Sequence, residues 1–206
     1  LMAINYTVRA DVIDINADTP KAADTFLIDT NVWYWLTYSK ASQNALPYQI
    51  SDYPAYANAA LGAGARILQS GLSLAELTHL IEKAEREIFQ AASGRIPAKE
   101  YRHNFAGERA NVVAEVQAAC GLVTTLAEPL TMAIDAATSA AALNRLQTEK
   151  VDGYDLFILE PMRINGVVQI ITDDGDFATV PGIQVFTANR KVIQSAGVQG
   201  KLVNRP

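Results

Sequence analysis

The chain has 206 residues, half of them hydrophobic, enough to bury a sizeable core within one enlarged domain. Its formal charge of -5 and pI near 5.0 exclude a surface coated in positive potential, so a nucleic-acid partner has to be argued from a local site. Cys120 is the sole cysteine, which rules out an internal disulfide, and with only His79 and His103 beside it a cysteine-rich zinc centre is ruled out too.

Leu1 precedes Met2, an order that reads as a residue added ahead of the natural start. The N-terminus lacks a basic stretch followed by an apolar one, so no secretory signal is expected. The Ala-rich run around Ala133 to Leu143 is broken by Asp135, Thr138 and Ser139, so no membrane span is expected either. A cytoplasmic location follows as the default expectation.

Residues 4–15 carry Ile4, Tyr6, Val8, Val12, Ile13 and Ile15 in a rough period of two, which predicts a strand or hairpin at the margin of a sheet. Phe26-Leu27-Ile28 then reads as a buried strand delivering Asp29, Thr30 and Asn31 at its carboxyl end, where ligands gather in open α/β sheets. Asp29 or Thr30 serves equally well as the cap of a helix through Val32, Trp33, Trp35 and Leu36. Residues 39–54, with Pro47 and Pro54, read as a surface insertion, and 55–69 as a helix. Gly62 and Gly64 lack a preceding strand and a third glycine, so they make no phosphate loop.

Residues 71–75 are predicted to form a short strand running into a helix over 76–89, where Leu77, Leu80, Ile81, Ala84 and Ile88 recur at helical spacing. Glu76 lies at the edge of that apolar stripe. Helix formers fill 98–120, and Leu122-Val123-Thr124-Thr125-Leu126 has the composition of a strand. Two further helices are predicted over 132–146 and 152–163. Asp155 stands in line with Ile158, Leu159 and Met162 on the buried face of the second, where an ionised group needs a partner or a metal; the plainer role is to stabilise the helix N-terminus.

Asn165-Gly166 marks a turn before the clearest strand, 167–171, which ends in Thr172-Asp173-Asp174-Gly175-Asp176-Phe177. A polar loop explains one or two acids there more easily than three. Pro181-Gly182 introduces a last strand over 183–186, and 188–206 reads as a polar tail. Five strands, near 27, 73, 124, 169 and 185, alternate with helices, which predicts a central parallel sheet covered on both faces. Asp29, Glu76, Asp155 and the Asp174 cluster all attach to one end of that sheet. Four converging carboxylates repel, and a hard divalent cation, Mg²⁺ or Mn²⁺, relieves the repulsion with an all-oxygen ligand set.

Asp29-Thr30-Asn31, Glu76 opening a helix, Asp155 within a helix and Thr172-x-Asp174-x-Asp176-Phe177 occur in the order that resembles the PIN-domain nucleases, VapC-type toxins among them. The resemblance runs from about residue 26 to 187, leaving 1–25 as an N-terminal extension and 188–206 as a C-terminal tail. It implies a three-layer α/β/α fold of about five strands and metal-dependent hydrolysis of RNA phosphodiester bonds. Asp29, Glu76, Asp155 and Asp174 correspond to the acidic metal-binding quartet, Asp176 joins them as a ligand, and Thr30, Asn31 and Thr172 support them. Asp152 and Asp173 are the nearby decoys. Such toxins are held by an antitoxin protein and commonly form homodimers; a stand-alone RNA-processing nuclease and a non-catalytic PIN-like RNA- or protein-binding module are the alternatives. Pro161, soon after Asp155, departs from the family pattern and should end or kink its helix. Arg66, Lys83, Arg86, Arg163, Arg190 and Lys191 are candidates for contacting phosphates.

A receiver-like signalling module needs an early acidic pair, whereas Asp29 stands alone at its strand. No G-x-S-x-G elbow is present for a serine hydrolase.

Overall fold

The computed structural model describes residues 4–206; the Leu1-Met2 start lies outside them. Six strands form one sheet in which every pairing is parallel: β1 (Asp11–Asp14), β2 (Thr25–Ile28), β3 (Arg66–Gln69), β4 (Glu128–Pro129), β5 (Gln169–Ile171) and β6 (Gln184–Thr187). Their spatial order is β1-β6-β5-β2-β3-β4. From β2 the chain moves outward to β3 and β4, then returns to β5 on the other side of β2 and moves outward again to β6. The point where the strand order reverses therefore lies between β2 and β5, and the crevice beyond their carboxyl ends is where such a sheet offers a site.

Alternation along the strands divides the core between two faces. Phe26, Ile28, Ile171 and Phe186 face one helical layer, while Leu27, Leu68, Ile170 and Val185 face the other. The first layer holds α1 (Thr30–Thr37), α2 (Pro47–Gly62), α3 (Gly71–Ser93) and α5 (Ala106–Leu126), with the short α4 (Ala98–Asn104) packed beside α5. The second holds α6 (Ala136–Arg145), α7 (Gly153–Ile164) and α8 (Arg190–Val198). The result is the three-layer α/β/α arrangement expected from the sequence.

Several boundaries differ from the sequence reading. The strand expected at 71–75 lies one step earlier, at Arg66–Gln69, and Ser70 caps α3 by accepting a hydrogen bond from the Leu72 amide at 3.2 Å. The strand expected at 122–126 is the last turn of α5: Val112, Ala119 and Val123 are buried along one face, and packing against α3 overrides the strand preference of Val123, Thr124 and Thr125. The insertion at 39–54 contributes the start of α2, with Pro47 in its first turn, where a missing amide hydrogen costs nothing. Pro161 does not end α7, which runs on to Ile164.

The N-terminal extension supplies the edge strand β1, in keeping with its period-two pattern and making six strands rather than five. Nor is 188–206 an uncommitted tail. It forms α8 and then pairs Leu202 with Val12, and the Arg205 guanidinium reaches Asp18 and Asp24 at 2.6 Å.

Candidate functional site

Asp29 leaves β2 and immediately caps α1. Its Oδ1 accepts from the Thr30 amide at 2.7 Å, and its Oδ2 accepts from the Thr172 hydroxyl at 2.7 Å and from Asn31 Nδ2 at 3.5 Å. Thr172 leaves the neighbouring strand β5, so the bond joins the two strands that flank the reversal of strand order. The same Thr172 oxygen accepts from the Asp174 amide at 2.9 Å, and Asp174 Oδ1 accepts from the Asp176 amide at 2.8 Å. One fully buried threonine thus sets the position of two carboxylates. From α3, Glu76 is held by the buried Thr30 hydroxyl, which donates to its Oε2 at 2.7 Å.

Asp155 enters from the first turn of α7, in the opposite layer. Only 6% of its surface is exposed, and no side chain or amide among the described residues donates to its carboxylate. Burial pushes its carboxyl up to about 9, with Asp29, Asp152, Asp174 and Glu76 adding repulsion in that order. Asp29 is pushed up to about 7, first by burial and then by Asp174 and Glu76, against the lowering effect of Thr172 and the Thr30 amide. Asp174 and Asp176 are raised by burial and then by neighbouring carboxylates. The sheet therefore gathers Asp29, Glu76, Asp155 and Asp174 into one field, with Asp176 at its margin.

Oxygen donors in this number could hold a hard divalent cation, and the buried Asp155 carboxyl, which accepts no hydrogen bond among the described residues, is one of them. The acids are not preassembled into a cage: among the described residues no group of three or more His, Cys, Asp or Glu side chains is arranged to hold a metal ion.

Two acids set aside as decoys have different fates. Asp173 is turned away from the cluster: Tyr53 donates to its Oδ1 at 2.7 Å, Tyr48 donates at 3.1 Å and Gln49 Nε2 donates to its Oδ2 at 2.8 Å. The Tyr53 hydroxyl also accepts from the Ala188 amide at 3.0 Å, so α2 is pinned beneath the loop that carries Asp174. Asp152, by contrast, caps α7 through its Oδ1, which accepts from the Tyr154 and Asp155 amides, and its charge reaches Asp155, Asp174 and Asp176. Three residues before Asp155 on a helix start, it belongs to the rim of the site.

Sequence reasoning also missed Tyr6. Its ring lies so close over Gly175 that a Cβ there would collide with the tyrosine Cζ. Burial and the charges of Asp176, Asp174 and Asp173 raise its hydroxyl pKa. A glycine between two acids was the only local hint that something must approach the backbone closely.

Of the basic candidates, Arg66 pairs with Glu128, Arg163 with Glu160 and Arg190 with Asp14, while Arg86 donates to the Ile96 carbonyl. Lys83 shares a groove of about 220 Å³ with Asn31, Tyr34 and Trp35 beside the acids, a position from which it can meet a phosphate. Among the described residues, no helix is long and apolar enough to cross a membrane.

No protein-family model matches the chain, and no curated protein sequence matches it. Among solved structures, the VapBC2 complex of Rickettsia felis bound to a DNA fragment from its promoter is similar over 79% of this chain and 98% of that one, at 14% identity and a TM-score of 0.46.

Proposed function

We propose that the chain is a divalent-metal-dependent endoribonuclease. The observation that carries this reading is the Asp155 carboxylate, buried against Asp29, Asp174 and Glu76 with no donor of its own among the described residues. A site that concentrates repelling acids at the reversal point of a parallel sheet is suited to a cation and to the anionic phosphodiester that a cation attracts.

Mg²⁺ or Mn²⁺ bound there would acidify a coordinated water and neutralise charge developing on the phosphate. Asp29, Asp155 and Asp174 are the residues to hold it, with Asp176 as an additional oxygen donor. Thr172 keeps Asp29 and Asp174 in fixed relation, and Asn31 restrains the second Asp29 oxygen. Thr30 orients Glu76, which would bind the cation directly or through water and help position the attacking water. Lys83, which lines the groove beside Asn31, could steady the RNA backbone.

The resemblance to VapC-type toxins extends the proposal to a role as the toxin of a toxin–antitoxin pair, held by an antitoxin protein and working as a homodimer. A second reading is a non-catalytic PIN-like module that binds RNA or protein, favoured by the absence of a preassembled three-acid cage among the described residues. Incubating the protein with labelled mixed-sequence RNA in Mn²⁺, in Mg²⁺ and in EDTA, beside Asp29→Asn, separates the two. Cleavage that needs both metal and Asp29 establishes the nuclease; equal inertness of both proteins in both metals supports the binding module.

A further inference from the structure

Next to the acids lies a groove of about 580 Å³, within the range of small-molecule sites, whose lining includes Leu72, Ile134, Asp152, Tyr154 and Phe157. It opens between the first turns of α3 and α7, the two helices that bring Glu76 and Asp155 to the site. Tyr154 and Ile134 are more than half exposed, so apolar and aromatic surface faces solvent beside a strongly anionic centre. The polar feature that α7 adds is Asp152. Its Oδ1 is occupied by the amides of Tyr154 and Asp155, and none of the described residues donates to its Oδ2.

Resting on the nuclease reading above, we propose that this groove is a nucleobase subsite. One base of a single-stranded RNA stacks on Tyr154 and Phe157 and donates its exocyclic amino hydrogen to Asp152 Oδ2, while the adjoining phosphate lies at the Asp29–Asp155–Asp174 cluster.

The spacing supports the arrangement. Asp152 and Asp155 are three residues apart at a helix start, about 4.5 Å along the axis, so a base on one and a phosphate at the other belong to neighbouring parts of one nucleotide chain. Single-stranded RNA offers unstacked bases to aromatic platforms, and every base has a π-face, which gives the rings an affinity independent of sequence. Selection comes from the carboxylate. Cytosine N4 and adenine N6 carry amino donors, whereas uracil presents O4, an acceptor that a carboxylate repels. Asp152 is exposed, so its Oδ2 is free to meet a ligand; an apolar protein segment would cover it without offering a donor, which a base supplies.

Binding rather than cleavage tests the subsite. In Mg²⁺, on an Asp29→Asn background, labelled hexacytidylate, hexaadenylate, hexauridylate and an abasic hexamer are titrated and followed by fluorescence anisotropy. The cytosine and adenine hexamers should bind more tightly than the uracil one. Tyr154→Leu should weaken hexacytidylate about five- to tenfold, as expected for the loss of one base–aromatic stack, and leave the abasic hexamer unchanged. Asp152→Asn keeps the helix cap but replaces an acceptor with an amide donor, and should turn the preference toward uracil.

Equal binding by parent and Tyr154→Leu overturns the proposal, as does equal weakening of the abasic hexamer, which would mean a backbone contact. Loss of self-association in Tyr154→Leu, without any change in hexamer binding, would make the groove a protein-docking face instead. Because cleavage is measured with Asp29 in place and base selection with Asp29 replaced, the nuclease reading and the subsite can fail separately.

Discussion

Replacing Asp155 with asparagine should make the metal-free protein more stable at neutral pH, because it removes a buried group that gains charge only on unfolding. An unfolded aspartate titrates near 3.9 as a rough reference value, whereas the folded Asp155 carboxyl is pushed up to about 9. Between those values the folded chain retains a proton that the unfolded chain has released. Stability attributable to this group is therefore complete below about pH 4 and falls as pH rises toward the folded value. Each pH unit in that window removes about 1.4 kcal/mol, so about 3 kcal/mol is lost between pH 5 and pH 7. Asp29, pushed up to about 7, adds a smaller loss in the same direction.

Asparagine abolishes the Asp155 share of this slope and brings no group that ionises on unfolding. Allowing for imperfect fit of the amide, a net gain of about 2 kcal/mol is expected at pH 7, equivalent to a melting temperature higher by about 4–8 °C for a chain of this length. Circular-dichroism melts of wild type and Asp155→Asn in EDTA at pH 5, 6, 7 and 8 measure it directly. A wild type with no slope across that range, together with a variant that melts at or below it at pH 7, would refute the account of Asp155 as a strained carboxylate. Under the proposed function, Mg²⁺ should then raise the wild-type melting temperature more than that of the variant.

Thr172→Ala removes the hydroxyl that donates to Asp29 and accepts from Asp174, and should cost about 1–3 kcal/mol in denaturant unfolding together with most of any metal-dependent cleavage. Gly175→Ala drives a methyl group into the Tyr6 ring and should destabilise by about 1–3 kcal/mol; Tyr6→Ala should recover much of that loss in a double-mutant cycle, whereas additive effects would place Tyr6 elsewhere. Arg205→Ala leaves the carboxylates of Asp18 and Asp24 buried without their shared guanidinium and uncovers the Phe186 ring, which that guanidinium overlies at 4.7 Å. A loss of about 3–5 kcal/mol by urea titration is expected, and a change below about 0.5 kcal/mol would show the chain end to be dispensable.

The acids were legible in the sequence because each breaks a local rule. Asp155 interrupts the apolar stripe of Ile158, Leu159 and Met162, and Thr172 to Asp176 places three carboxylates directly after a strand. The partners of those acids were not legible. Tyr48, Gln49 and Tyr53 meet Asp173 more than a hundred residues along the chain, and nothing in their own surroundings distinguishes them from ordinary helix residues. The misplaced third strand has a local explanation. Leu72 and Leu74 alternate as strand residues do, but Ser70 caps a helix over them, and the longer stripe through Leu77, Ile81 and Ala84 decides the outcome. At Val123 the deciding contact is tertiary, so strand propensity alone pointed the wrong way.

The bond from Thr172 to Asp29 spans 143 residues, and the strands it joins are the central pair of the sheet. Closing so long a loop is slow compared with forming the helices between, so the chain should fold from its local helical pairs inward, with the two middle strands meeting late. During synthesis Asp29 leaves the ribosome long before Thr172 and Asp174 exist. The acids therefore cannot assemble until the segment through Asp176 has been made, and whatever chemistry they perform is withheld from the translating ribosome until then.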